Sequence, residues 1–178
     1  VEKGFKEADA VVETTLDFAR HTGVTLESRG IVADWNKAEN KMTIYHNGQA
    51  PHMMQHIIAK HLDLNEGLVR IVSRDVGGSF GIKVHVYPDE MAVTAISKKL
   101  GRPVKFIADR LESFTTDIHA RCHKISGKLG VDKNGKILAM EIDDLSGIGP
   151  FSMYPRTSAI ETNQVLNLSG APYVYPKL

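Results

Sequence analysis

The hydrophobic pattern changes period several times along the chain, and each change marks an element. Ala10 to Phe18 is rich in β-branched residues and partly alternates, which predicts a strand. Ile31 to Trp35 and Lys41 to Tyr45 are two further strand-like runs, joined by the polar connector Asn36 to Asn40, which has hairpin length. Together the three predict a β-meander at the start of the fold. Beyond Pro51 the period lengthens: Met54, Ile57, Ile58, His61 and Leu62 recur at helical spacing, so a helix starts at that proline. Val69 to Val72 is a short strand that runs into the glycine-rich loop Gly77-Gly78-Ser79-Phe80-Gly81. Residues 88–100 then carry every helix boundary signal: Pro88 at the start, Asp89 and Glu90 in the first turn, Lys98 and Lys99 in the last, Gly101 and Pro103 beyond. Val104 to Ile107 is a strand leading into Asp109-Arg110 and a loop. The segments near 120–131 and 136–145 flank Asp132-Lys133-Asn134-Gly135, whose Asn-Gly predicts a hairpin, and a short helix is expected near 157–165.

No internal repeat or low-complexity tract interrupts this pattern, so residues 1–178 read as a single domain of mixed α/β (α+β) class. The expected architecture is a mixed β-sheet with two or three packing helices and a β-hairpin. Composition agrees: 42% apolar and 24% charged residues belong to an ordinary globular unit. Lys and Arg (22) nearly balance Asp and Glu (21), which argues against a nucleic-acid partner. No apolar run reaches the ~20 residues of a membrane span. The single Cys122 cannot form an internal disulfide and is expected to be a buried thiol; a cytoplasmic setting follows as the expectation. Val1 is not a start methionine and the chain stops at Pro176-Lys177-Leu178 without a tail, so it reads as a piece of something longer.

Two loops share one design. The strand ending near Tyr45 passes through Asn47-Gly48-Gln49-Ala50 into a helix, and the strand ending near Val72 passes through the glycine loop towards another. If those strands are parallel neighbours, both loops emerge at one sheet edge, where unpaired N–H groups suit an anion or an oxo ligand. Gln49 would donate its amide there, and glycines 77, 78 and 81 would let the backbone approach the ligand. Neither the dinucleotide fingerprint nor the phosphate loop is met: the glycines fall at first, second and fifth places, and Ile82 separates Gly81 from Lys83. Phe80 reads either as a wall against a flat ligand or as a core plug. His52 and His56, with His119, Cys122 and His123, have a spacing reminiscent of zinc ligands, but Met53 stands where a zinc hydrolase needs its glutamate. Glu27 and Arg29, two apart, are expected to form an ion pair that holds a loop.

Glu27-Ser28-Arg29-Gly30, Gln49 before a proline-led helix, Asp75-Val76-Gly77-Gly78-Ser79-Phe80-Gly81-Ile82-Lys83, Gly101-Arg102-Pro103-Val104 and Asp109-Arg110-Leu111-Glu112 occur in an order that resembles molybdenum hydroxylase large subunits. The chain thus resembles the xanthine dehydrogenase and aldehyde oxidase family, in the first part of its molybdopterin-binding region, and the likeness covers roughly residues 10–176. Tyr87-Pro88-Asp89-Glu90, His119-Ala120-Arg121 and Met153-Tyr154-Pro155-Arg156 look most like aldehyde dehydrogenases of the glyceraldehyde-oxidising kind, with carbon monoxide dehydrogenase large chains as neighbours.

The resemblance implies a molybdenum-pterin cofactor of the molybdopterin cytosine dinucleotide type. Gln49 matches the glutamine that hydrogen-bonds an oxygen ligand of the metal, and Gly77, Gly78, Ser79, Phe80 and Gly81 match the loop beside the cofactor. Purine-oxidising members carry a glutamate where this chain has Val84 and an arginine near Ile160-Glu161, so the likeness points away from purines. Val84, Tyr154 and Glu161 become the candidate substrate-pocket residues. The family's general-base glutamate falls beyond the point corresponding to Leu178, so no catalytic residue is assigned within this chain. The implied reaction is attack by a metal-bound hydroxide on an aldehyde or on carbon monoxide, with hydride transfer, completed by the remaining large-subunit segments, an iron–sulfur subunit and an FAD subunit. The rival readings are a non-catalytic interaction module and a zinc-binding hydrolase.

Overall fold

The computed structural model describes residues 1–151 and 159–175. In chain order the elements are α1 (Glu2–Lys6), β1 (Ala10–Phe18), β2 (Gly30–Asn36), β3 (Lys41–His46), α2 (Pro51–His61), β4 (Val69–Val72), α3 (Pro88–Leu100), β5 (Val104–Ile107), α4 (Arg110–Thr116), β6 (His123–Val131), β7 (Ile137–Ser146) and α5 (Ala159–Leu168). The described residues gather into two compact units: one from residues 1–21 and those from 119 onward, the other from 22–118.

The first unit is a three-stranded antiparallel sheet in the order β1-β6-β7. The β6–β7 turn closes on Asp132, whose carboxylate accepts from the N–H groups of Asn134 and Lys136 at 2.8 and 2.9 Å, with Gly135 at φ +81°. The pairing of β1 corrects the expected meander. β1 runs in full register beside β6, from Ala10 opposite Val131 to Phe18 opposite His123, and takes no part in the sheet that holds β2 and β3. All nine of its residues are exposed, so no buried face announces a partner in the sequence.

The second unit carries a four-stranded mixed sheet in the order β4-β3-β2-β5. β2 and β3 form the expected hairpin and present Ile31, Ala33, Trp35, Met42 and Ile44 to one face. Met54, Ile57 and Ile58 of α2 and Val93 of α3 complete that core. β3 and β4 are parallel, from Met42 opposite Val69 to Tyr45 opposite Val72, and α2 is their crossover. α3 begins and ends where the boundary residues place it, with Gly101 at φ +64° closing it. α4 was expected as loop; it is nucleated by a reciprocal cap in which Asp109 accepts from Glu112 N and Glu112 accepts from Asp109 N, both at 2.8 Å.

The expected Glu27–Arg29 pair does not form. Arg29 is buried and turned away from Glu27, donating to Asp117 Oδ1 at 2.6 Å, Asp89 at 2.8 and 2.9 Å and Glu90 Oε1 at 3.2 Å, with its guanidinium 3.8 Å above the Tyr87 ring. Burial opposes the charge of Arg29, but the bonds to Asp89 and Asp117 and the charge of Glu90 outweigh it and push its pKa above the ordinary arginine value. Glu90 also accepts from Tyr87 N at 3.1 Å, so the residue that caps α3 belongs to the same network, and His46 Nε2 lies 3.0 Å from it. Arg29→Met would leave these carboxylates without their cation, and we expect a loss of about 3–5 kcal/mol of unfolding free energy, read from urea titration of the chain. A loss under about 1 kcal/mol would show that the network does not hold the fold.

Candidate functional site

The parallel pairing of β3 and β4 brings both loops to the same end of the sheet. Residues 47–50 leave β3 and residues 73–81 leave β4, and they are bonded to one another. Gln49 N donates to Lys83 O at 3.0 Å, Lys83 N donates to Ser79 Oγ at 3.1 Å, and the Ser79 hydroxyl donates to Gln49 Oε1. Ser73 Oγ donates to Gly48 O at 2.9 Å and adds a second tie between the loops. Asn47 fastens the first loop to the neighbouring strand: its side chain accepts from Gly30 N at 2.9 Å and donates to Ser28 O at 2.7 Å.

Glu27 straps the glycine loop down. Its carboxylate accepts from Gly77 N at 2.7 Å and from the buried Lys83 ammonium at 2.9 Å, while its own N–H donates to Gly77 O at 3.2 Å. A Cβ on Gly77 would lie 2.5 Å from the Cβ of Glu27, so the glycine at 77 answers to this strap and not to a ligand. Sequence reasoning missed the roles of Glu27, Asn47 and Lys83. The spacing of a Glu two residues before a buried Arg carried the hint, but it was assigned to the wrong partner.

The loop itself is contorted. Gly78 and Gly81 take φ of +94° and +92°, and Phe80 between them takes +52°, a conformation that costs a bulky residue about 1–3 kcal/mol. The turn throws the Phe80 ring outward, where it is 78% exposed, so it is not a core plug. None of the described residues accepts from the N–H of Ser79, Phe80 or Gly81. With Gln49 Oε1 engaged by Ser79, Gln49 Nε2 is a further donor at the same edge. Four donors and an exposed aromatic face fit a group that combines oxygen ligands with a flat ring system.

Three further residues, Val84, Tyr154 and Glu161, were expected near a substrate. Val84 is buried, 6% exposed, and offers a ligand little surface. Glu161 belongs to the other unit, where it accepts from Arg121 N and stands 3.6 Å from His123 Nε2. Tyr154 lies outside the described residues. His56 pairs with Glu66 at 2.7 Å and buried His123 with Asp144 at 2.9 Å; among the described residues no group of three or more His, Cys, Asp and Glu side chains could hold a metal ion. Cys122 is half-buried, where a buried thiol was expected. A depression of about 320 Å³ opens on the second unit between Glu27, Tyr45, Asn47, Val72, Arg74 and Lys105; it includes neither Gln49 nor the loop 77–81. The two loops share one sheet edge. No helix among the described residues is long and apolar enough to cross a membrane.

The whole chain, residues 1–178, matches the family described as molybdopterin cofactor-binding domain, and the chain belongs to that family. It is 35% identical to the carbon monoxide dehydrogenase large chain of Hydrogenophaga pseudoflava over 83% of its length, and 30% identical to the nicotine 6-hydroxylase large subunit of Paenarthrobacter nicotinovorans over 98%. Quinoline 2-oxidoreductase from Pseudomonas putida 86 superposes with a TM-score of 0.93 at 28% identity, again over 98% of the chain. The chain spans only about a fifth of each of these proteins, 18%, 22% and 22% respectively.

Burial of the Glu27 carboxylate would raise its pKa, but hydrogen bonds from Lys83, Gly77 N–H and Asn47 outweigh that and hold it below its ordinary value. A carboxylate depressed in the folded state stabilises above its unfolded pKa and loses that contribution as pH falls through the folded one. Protection of the Gly77 amide against hydrogen exchange should therefore persist as pH falls through the ordinary carboxylate range and drop only below it. In Glu27→Gln the protection should be weaker at neutral pH and lose its acid-dependent step. Identical Gly77 exchange in the two proteins would refute the strap.

Proposed function

We propose that this chain is a cofactor-holding segment of the large subunit of a molybdenum-dependent oxidoreductase acting on an aldehyde or on carbon monoxide. The observation that carries this reading is the convergence of Gln49 Nε2 with the free N–H groups of Ser79, Phe80 and Gly81 on one rim. Family membership supplies the cofactor class and displaces the interaction-module reading. When bound, a molybdenum-pterin group supplies two-electron redox chemistry. The chain's own residues would hold it: Gln49 would donate its amide to an oxygen of the group, the N–H groups of Ser79, Phe80 and Gly81 would donate to others, and Phe80 would cover a flat face. We assign the cytosine dinucleotide form, a cytoplasmic setting, and electron removal through iron–sulfur and FAD subunits on the strength of the sequence resemblance. The proton-accepting glutamate comes from other large-subunit segments. Gly77 serves the loop's shape; Tyr154 and Glu161 are proposed for the neighbourhood of the substrate, and the buried Val84 marks the place where purine-oxidising members carry a glutamate.

A second reading, oxidation of an N-heteroaromatic ring, is favoured by one observation. The nicotine and quinoline enzymes match 98% of the chain, against 83% for the carbon monoxide dehydrogenase large chain. Relative kcat/KM for a small aldehyde, carbon monoxide and an N-heteroaromatic compound, measured on one assembled complex, separates the two.

In the full-length large subunit assembled with its partners, Gln49→Ala should lower turnover roughly 100-fold, the cost of removing one preorganised donor. Elemental analysis should find stoichiometric molybdenum in the parent complex. Unchanged turnover in the variant would remove Gln49 from the site, and stoichiometric zinc without molybdenum would sink the whole reading.

A further inference from the structure

A side-chain amide has two faces of opposite sign, and a donor role for Gln49 requires Nε2, not Oε1, to point at the ligand. Gln49 is an exposed residue, so nothing in its packing selects one face. The selection lies in the hydrogen bonds. Lys83 N is a fixed backbone donor and occupies one acceptor position of Ser79 Oγ at 3.1 Å. The Ser79 hydroxyl proton is then free to go to Gln49 Oε1. Gln49 N in turn donates to Lys83 O at 3.0 Å, which closes the ring of contacts through the two loops. Flipping the amide would bring Nε2 against Ser79, leave the hydroxyl proton without that acceptor and turn the carbonyl oxygen outward, where it would repel an oxygen ligand. Each bond in the observed chain also polarises the next, which strengthens the outward Nε2 donor.

We propose that Ser79 is a positioning residue that sets the face of the Gln49 amide, so that Nε2 is presented to the oxygen ligand of the cofactor. The inference rests on the cofactor-donor role given to Gln49 above and adds a determinant from the other loop. Ser79 is suited to this for a structural reason. It stands between Gly78 and Phe80, both in left-handed conformations, and its carbonyl accepts from Ile82 N at 2.9 Å, so its backbone is fixed while its hydroxyl faces the first loop. An alanine there would keep the turn and lose only the hydroxyl.

The test uses the full-length large subunit in its assembled complex. Ser79→Ala should lower kcat about tenfold with KM changed less than about twofold, the signature of a misoriented group rather than a lost binding contact. It should alter the electron paramagnetic resonance signal of the partly reduced metal in the same direction as Gln49→Ala, with molybdenum content retained. Ser79→Thr, which keeps the hydroxyl, should restore both kcat and the signal. Adding Ser79→Ala to Gln49→Ala should have no further effect on either readout. Should Ser79→Ala fail to assemble, Ser79→Gly, which adds no bulk to the loop, is read against the same expectations. A parent-like kcat and signal in Ser79→Ala would overturn the proposal. So would an undiminished Ser79→Ala effect in the Gln49→Ala background, or loss of molybdenum in Ser79→Ala where Gln49→Ala retains it. If Gln49→Ala itself is silent, the donor reading of Gln49 fails first; if Gln49→Ala is impaired and Ser79→Ala is silent, only the positioning inference falls.

Discussion

Four residue pairs of parallel ladder, from Met42 opposite Val69 to Tyr45 opposite Val72, decide where the two candidate loops of this molecule meet. Because β3 and β4 run in the same direction, the chain leaves both at one edge, and the two loops that follow meet there. An antiparallel β4 would send the glycine loop to the far end of the sheet, away from Gln49. The crossover makes the parallel arrangement possible: α2 carries the chain back along the sheet and packs Met54, Ile57 and Ile58 onto Met42, Ile44 and Val69. Burial of those side chains holds a short ladder that its own hydrogen bonds would leave marginal.

Around that edge, charge does the fastening. Glu27 grips both ends of the glycine loop, at Gly77 N and at the buried Lys83 ammonium, and so holds a turn that keeps Phe80 in a costly backbone conformation. The buried lysine is matched by a carboxylate that remains partly in water, which spares the pair the full desolvation cost of a buried ion pair. Two residues further along, Arg29 faces the opposite way into Asp89, Glu90 and Asp117. That second cluster ties the strand entry to α3 and α4 and reaches the end of β3 through His46. The segment Glu27-Ser28-Arg29 thus serves the loop with one side chain and the framework with the other.

The likeness to large subunits of which this chain covers about a fifth fits a rim more than a closed pocket. Donors and an aromatic face are gathered on a few neighbouring residues at one sheet edge. Such a rim can orient a cofactor.

Elements whose signals lie within a few residues were legible in the sequence alone. Pro51, the run from Pro88 to Gly101, and Asn134-Gly135 mark their boundaries by backbone restrictions that act locally, and the ordered motifs around Gln49 and Gly77 to Gly81 carried the family. The Asp109–Glu112 cap was equally local and was overlooked as loop. Other features depended on which distant segments meet. β1 found β6 across more than a hundred residues with no buried face to announce it, Arg29 took its three carboxylates from α3 and the end of α4, and Ser79 took Gln49 as its acceptor. Ladder partners and charge partners are selected by packing of the folded chain, through contacts of many alternatives that a linear pattern leaves equal. The residues of the two candidate loops were therefore readable in order, while their meeting on one edge, and the face that each turns to it, belonged to the tertiary structure.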